Sequence, residues 1–345
     1  MNDRTMRILF IGGTGIISTA CVDLALARGF SVAMLNRGRR ALPDGVEHLA
    51  ADVNDPAATA AALGDRRWDA VVDFFTFTPA QVEQRLAAFK GRTGQYVFIS
   101  SASAYQKPAG FAPITEATPL VNPFWQYSRD KAASEERFLS AHREAGFPIT
   151  IVRPSHTYGD TQVPLAYNSW QHSYTAVDRM RRGLPVVVPG DGLTLWTLTH
   201  NTDFAKALVG LLGRADTIGE AFHITSDEAL TWNHAYEIVA EAAGAPPPRF
   251  VHIASDFLVA CVPDLAGGLL GDKSNCAIFD NTKIKRFVPE FHATTSFREG
   301  MKRTLAWFDA DPARQVVDAP YHETWDKLVA VYERGLAAAR AEFGR

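Results

Sequence analysis

The opening of the chain constrains its fold more than any other stretch. Arg7 to Ile11 is a short apolar run, Gly12-Gly13-Thr14-Gly15 follows directly, and Ile16 to Arg28 carries Ile17, Cys21, Leu24 and Ala25 at helical spacing. Strand, glycine turn and helix in that order bring backbone N–H groups and the positive end of a helix dipole to one point, an arrangement that holds a pyrophosphate. Gly12 and Gly15 are expected to permit the tight turn and the close approach of a ligand, with Gly12, Thr14, Gly15 and Ile16 as the cradle. Ser18 stands in the place of a third glycine, small enough for the helix to pack on the strand.

Further strands alternate with helices. Ser31 to Leu35, Val46 to Asp52, Trp68 to Phe75, Gln95 to Ser100 and Ile149 to Arg153 read as β-rich runs, while Asp55-Pro56, Pro79 to Lys90 and Gln126 to Ala145 open or form helices. Such alternation predicts an α/β protein with a doubly wound parallel (Rossmann) sheet. Ligands of these sheets bind beyond the carboxyl ends of the strands, where Gly12, Arg37, Asp52, Phe74, Ser101 and Pro154 fall. The second run ends in Asn36-Arg37-Gly38-Arg39-Arg40, with no acid there for the ribose hydroxyls of NAD. Arg37, with Arg39 or Arg40, suits a 2′-phosphate and so favours NADP over NAD; the competing reading is a solvated basic turn.

Tyr127 and Lys131 stand at i and i+4 on the helix expected from Gln126 to Ala145, so their side chains leave one face. A nearby ammonium favours the phenolate of a tyrosine. With the hydroxyl of Ser101 aimed at the same oxygen, the three form a device for moving a proton on and off a carbinol while a hydride moves on the carbon. The plainer alternative is a surface helix on which Tyr and Lys fall four apart by chance.

The motifs Gly12 to Gly15, Ser100 to Tyr105, Tyr127 to Lys131 and Arg153 to Gly159 occur in the order and spacing of the extended short-chain dehydrogenase/reductases, the group of NAD-dependent epimerases and dehydratases, which this chain resembles over roughly residues 6 to 310. The resemblance implies that Ser101, Tyr127 and Lys131 are catalytic, that Lys131 also holds the nicotinamide ribose, that Asp52 and Val53 meet adenine, and that Pro154 borders the nicotinamide. Nucleotide-sugar enzymes of the group commonly carry an arginine where this chain has Trp196, flanked by Leu195 and Thr197, so a substrate without a nucleotide diphosphate is expected. The chain thus reads as an NAD(P)-dependent oxidoreductase acting on a sugar-like or other small substrate. The alternatives are a nucleotide-sugar epimerase or dehydratase that retains its cofactor, and a non-catalytic RNA-associated or regulatory protein, since plastid relatives in the same group also carry an apolar segment there. Candidate substrate contacts are Ser103, His156, Asn168, Trp196 and His200.

The expected organisation is a dinucleotide-binding domain over 1–155 and a mainly substrate-binding part over 156–345, with segments around 186–225 returning to the main sheet. With 47% hydrophobic residues the chain can bury a full core, and its 35 basic against 38 acidic residues offer no general attraction to nucleic acid. The Lys283-Ile284-Lys285-Arg286 run is the one local basic patch noted. Cys21, Cys261 and Cys276 lack metal spacing and read as reduced thiols of a cytoplasmic protein. No metal site, signal peptide or membrane span is expected, and a homodimer is the candidate assembly.

Overall fold

The first strand, β1 (Arg7–Ile11), leads into helix α1 (Ile16–Ala27), and the chain continues through β2 (Ser31–Asn36), β3 (Glu47–Ala50), α2 (Pro56–Leu63), β4 (Ala70–Asp73), α3 (Pro79–Phe89), β5 (Tyr96–Ile99), α4 (Gln126–Ala145) and β6 (Ile149–Pro154). These come from a computed structural model that describes residues 5–344. Strands β1, β2, β4, β5 and β6 are almost wholly buried, as a sheet covered by helices on both faces requires. The seventh strand, Ala221–Ile224, pairs with β6, and the sheet order is Ala221–Ile224, β6, β5, β4, β1, β2, β3, parallel throughout. Strand order reverses between β1 and β4, which places the ligand crevice at the carboxyl end of β1.

Element ends have local causes. Strand β3 stops two residues short of the expected Asp52 because the Asp52 carboxylate accepts the Asn54 N–H at 3.0 Å and its carbonyl accepts the Asp55 N–H at 2.9 Å, turning the chain. Asp55 then caps α2, and Pro56 occupies its first position. Helix α4 has the predicted bounds and ends at Gly146, which is left-handed at φ 66°.

Two compact units emerge. The first takes the residues up to Thr157 with Thr199–Asp227 and Phe279–Thr294; the second takes Tyr158–Leu198, Glu228–Ile278 and the residues from Thr295. The sequence reading expected segments around 186–225 to return to the main sheet. Strand Pro185–Pro189 pairs with Arg249–Ile253 inside the second unit, and the return begins at Thr199. The further return of Phe279–Thr294 has no counterpart in the sequence reading. The second unit builds its core around Trp196, Trp232 and Trp325, and contains the helices Trp232–Ala242, Phe297–Asp309 and Ala319–Glu342.

Among the described residues no helix is long and apolar enough to cross a membrane. The basic run is neutralised locally, since Lys283 pairs with Glu220 at 2.7 Å and Lys285 with Asp227 at 2.8 Å.

Candidate active site

The glycine turn lies between β1 and α1. Gly12 and Gly13 adopt φ of 100° and 88°, so these two, rather than Gly12 and Gly15, supply the left-handed turn; Gly15 sits at φ −90°, open to any residue. A Cβ on Gly13 would lie 2.7 Å from Met34 Sδ, and one on Gly12 would come within 3.5 Å of Phe75. Gly13→Ala is accordingly expected to lower stability by about 1–3 kcal/mol through backbone conformation and contact, read as a fall in the thermal midpoint. Ser18 does more than save space: its Oγ accepts the Gly15 N–H at 2.8 Å. The Ile16 and Ile17 N–H groups stand in the first turn, where no helical partner exists, so the turn fits a pyrophosphate.

Around this cradle the β2 terminus is tightly organised. Asn36 Nδ2 donates to the Gly12 carbonyl at 3.1 Å, and Arg40 Nη1 donates to the Thr14 carbonyl at 2.6 Å. Arg37 faces Asp52 at 3.8 Å, each side chain 45% exposed, a pair too open to hold either residue firmly. Val53 is buried and its carbonyl accepts Arg85 Nη1 at 2.7 Å. Phe74 packs partly buried against the core, while its neighbour Phe75 lies beside Gly12 and remains exposed.

Ser101, Tyr127 and Lys131 all lie in the first unit. Tyr127 and Lys131 leave one face of α4; the ammonium lies 5.8 Å from the Tyr127 ring centroid, and the Trp125 ring 5.0 Å from it. Ser101 follows β5, and its Oγ is 2.9 Å from Ser103 Oγ, which in turn accepts Ser128 Oγ at 2.8 Å. Ser103 is buried, its carbonyl accepting Asn122 Nδ2 at 2.8 Å, so it braces Ser101 from behind. Lys131 is 2% exposed and donates to the carbonyls of Thr76 at 2.6 Å and Ile99 at 2.8 Å, with the Phe77 and Phe98 rings 4.7 and 4.8 Å away. Burial pulls its ammonium down to about 8, with Asp73 and Glu135 opposing.

The helix that carries Tyr127 and Lys131 is anchored by an ion pair absent from the sequence reading. Glu135, one turn beyond Lys131, accepts Arg153 Nη2 at 2.6 Å and Nε at 3.0 Å, and also accepts Ser100 Oγ. Arg153 Nη1 continues to Tyr105 at 3.0 Å, whose hydroxyl meets His223 Nδ1 at 3.1 Å; His223 Nε2 lies 2.8 Å from the Asp280 carbonyl. This buried chain ties α4, β5 and β6 to Phe279–Thr294. Burial holds His223 below its ordinary range.

The remaining candidates are placed as follows. Pro154 ends β6, and His156 is half-buried just after it. His200 is buried and caps the helix Asn201–Leu211, its Nδ1 2.7 Å from Thr202 Oγ1. Asn168 Nδ2 donates to the Ser173 carbonyl at 2.8 Å within a loop of the second unit. Trp196, expected as a substrate contact, lies in that unit at 2% exposure, packs on Trp232 at 5.2 Å and donates Nε1–H to the Asn275 carbonyl at 2.8 Å. Asp73, which ends β4, and Phe75, Thr76 and Phe77 just beyond it gather near Lys131 without having been singled out from the sequence; the signal was their position at a strand's carboxyl end.

A parallel sheet of this order with a glycine turn after its first strand defines a Rossmann-type dinucleotide-binding fold. The chain belongs to the NAD dependent epimerase/dehydratase family, whose model matches residues 8–225. It is 30% identical over 249 residues to 2'-dehydrokanamycin reductase of Streptomyces kanamyceticus, covering 71% of this chain and 68% of that protein. It is 28% identical over 261 residues to the chloroplast stem-loop binding protein of 41 kDa b of Arabidopsis thaliana, covering 71% and 65%. Among solved structures, dTDP-glucose 4,6-dehydratase from Bacillus anthracis in complex with NAD superposes with a TM-score of 0.72 at 18% identity, over 90% of this chain and 98% of that one, a likeness of fold.

Proposed function

We propose that this protein is a cytoplasmic NADP-dependent oxidoreductase that interconverts a hydroxyl and a keto group on a sugar-like or other small substrate lacking a nucleotide diphosphate. The observation that carries the reading is the shared face of α4, where the buried Lys131 ammonium stands 5.8 Å from the Tyr127 ring centroid. A bound nicotinamide supplies the hydride chemistry. Tyr127 exchanges the proton of the substrate oxygen, Ser101 donates a hydrogen bond to that oxygen, and Lys131 supports the phenolate while charged. Likeness to a protein named as a reductase of 2'-dehydrokanamycin supports net reduction of a sugar-like ketone. Residues 195–197 carry no arginine or lysine for a diphosphate, although Lys273 Nζ stands 4.7 Å from the Trp196 ring. The decisive assay is consumption of NADPH in the presence of a panel of keto-sugars and aryl ketones. A cofactor that stays bound and cycles without net change assigns an epimerase or dehydratase instead.

The cofactor preference rests on Arg37 and Arg40 at the end of β2. Recruiting Arg37 to a 2′-phosphate disturbs only the open contact to Asp52, worth at most about 1 kcal/mol. Arg37→Ala is expected to weaken NADPH binding about ten- to a hundredfold and to leave NADH binding unchanged, as measured by fluorescence titration. Equal losses for the two cofactors remove the arginine from phosphate recognition.

A second reading, an RNA-associated protein, has the stem-loop binding relative in its favour. Against it, the basic run near residue 283 spends both its lysines on Glu220 and Asp227. Salt-sensitive binding of a stem-loop RNA with no carbonyl reduction decides for it.

A further inference from the structure

We infer that Asp73 is the positioning residue for Lys131, folding the turn whose carbonyl holds the ammonium and supplying the anion that keeps it charged. Asp73 ends β4 and is fully buried. Its Oδ1 accepts the Phe75 N–H at 2.7 Å, and its Oδ2 accepts Thr76 Oγ1 at 2.5 Å and the Tyr96 hydroxyl at 2.7 Å. These bonds wind residues 73–76 into a closed turn that points the Thr76 carbonyl at Lys131 Nζ, 2.6 Å away. The second anchor of that ammonium, the Ile99 carbonyl, lies on β5, so Lys131 is held by the ends of two adjacent strands.

Charge compensation leads to the same residue. Tyr127 and Glu135 on α4 and Asp73 at the end of β4 act on Lys131, while Arg85 on α3 and Tyr96 on β5 meet Asp73 and Arg153 on β6 meets Glu135. Glu135 is committed to Arg153, and Asp73 also faces Arg85 Nε at 3.4 Å. One carboxylate therefore serves two buried cations. Arg85 cannot release its proton, so the one that responds to loss of Asp73 is Lys131. Asp73 also links the two halves of the cofactor crevice, because Arg85 reaches Val53 at 2.7 Å and Asn54 at 3.3 Å beyond β3.

This assignment rests on the reading of Lys131 as the partner of Tyr127, but its test does not. Protein labelled with lysine enriched in 13C at Cε, free of cofactor and substrate, reports the Lys131 titration by NMR, the resonance being assigned by its loss in Lys131→Met. Asp73→Asn keeps the turn's acceptor and removes its charge; the Lys131 midpoint is expected to move at least about one pH unit lower than in the parent. Thr76→Val, which keeps the charge and loosens the turn, is expected to shift it in the same direction by less, and serves where Asp73→Asn does not fold. An unchanged midpoint in the folded variant overturns the inference. NADPH titrations of the same variants separately test the cofactor role of Lys131: weaker binding supports it, and unaltered binding with a shifted midpoint leaves Asp73 as the positioning residue of a lysine that does not serve the cofactor.

Discussion

Tyr127→Phe is expected to lower turnover about 10²–10⁴-fold while leaving cofactor affinity nearly intact. The substitution removes one hydroxyl and little contact area, so the ring keeps its contacts with Trp125 and the Lys131 ammonium. What disappears is the group that takes and returns the proton of the substrate oxygen. Single-turnover measurement of NADPH oxidation, paired with a binding titration, separates the two effects; a variant of full activity removes Tyr127 from the mechanism. A pH profile adds a second mark. Burial lowers the Lys131 pKa to about 8, so the ammonium is present below that pH and lost as pH rises through it. kcat/KM, which reports groups of the free enzyme, is therefore expected to decline above about pH 8. In Asp73→Asn that decline should begin earlier.

Glu135→Ala is expected to cost about 3–5 kcal/mol of stability, the largest stability effect anticipated for a side chain that touches no ligand. Glu135 and Arg153 are both buried, and the carboxylate receives the guanidinium through two nitrogens as well as the Ser100 hydroxyl. Without the carboxylate, Arg153 retains a charge it cannot shed, and the Tyr105 hydroxyl and the Glu116 carbonyl are left to accept its N–H groups. Denaturant unfolding measures the loss. The Glu135→Leu, Arg153→Met double variant should recover much of it, because removing both charges leaves no uncompensated ion. A loss below about 1 kcal/mol for the single variant shows that water reaches Arg153 and that the pair is not an anchor of α4.

The parallel sheet was legible because its strands are buried on both faces and so appear as uninterrupted apolar runs, as in Ile8 to Ile11 and Tyr96 to Ile99. Helix α4 was legible to the residue: its length, its charged surface and Gly146 are all local signals. The common face of Tyr127 and Lys131 follows from helical geometry alone. What periodicity does not carry is the identity of the group that comes across from another element. Lys131 finds its acceptors 55 and 32 positions away, at Thr76 and Ile99, and both depend on how β4 and β5 lie side by side. Trp196 read as a ligand-facing aromatic because its segment offered no arginine, yet burial and a hydrogen bond to Asn275 make it core, since a large ring with one donor is most stable where both are used. The glycine motif showed that a turn exists; the backbone alone decided that Gly12 and Gly13 take the left-handed conformation and that Gly15 does not. The sequence by itself therefore determined the class of fold and the α4 face, because both arise from interactions among neighbours along the chain. The tertiary structure decided the role of Asp73, the Glu135–Arg153 anchor and the interleaving of Thr199–Asp227 and Phe279–Thr294 with the first unit, because each is settled by contacts between residues far apart in sequence.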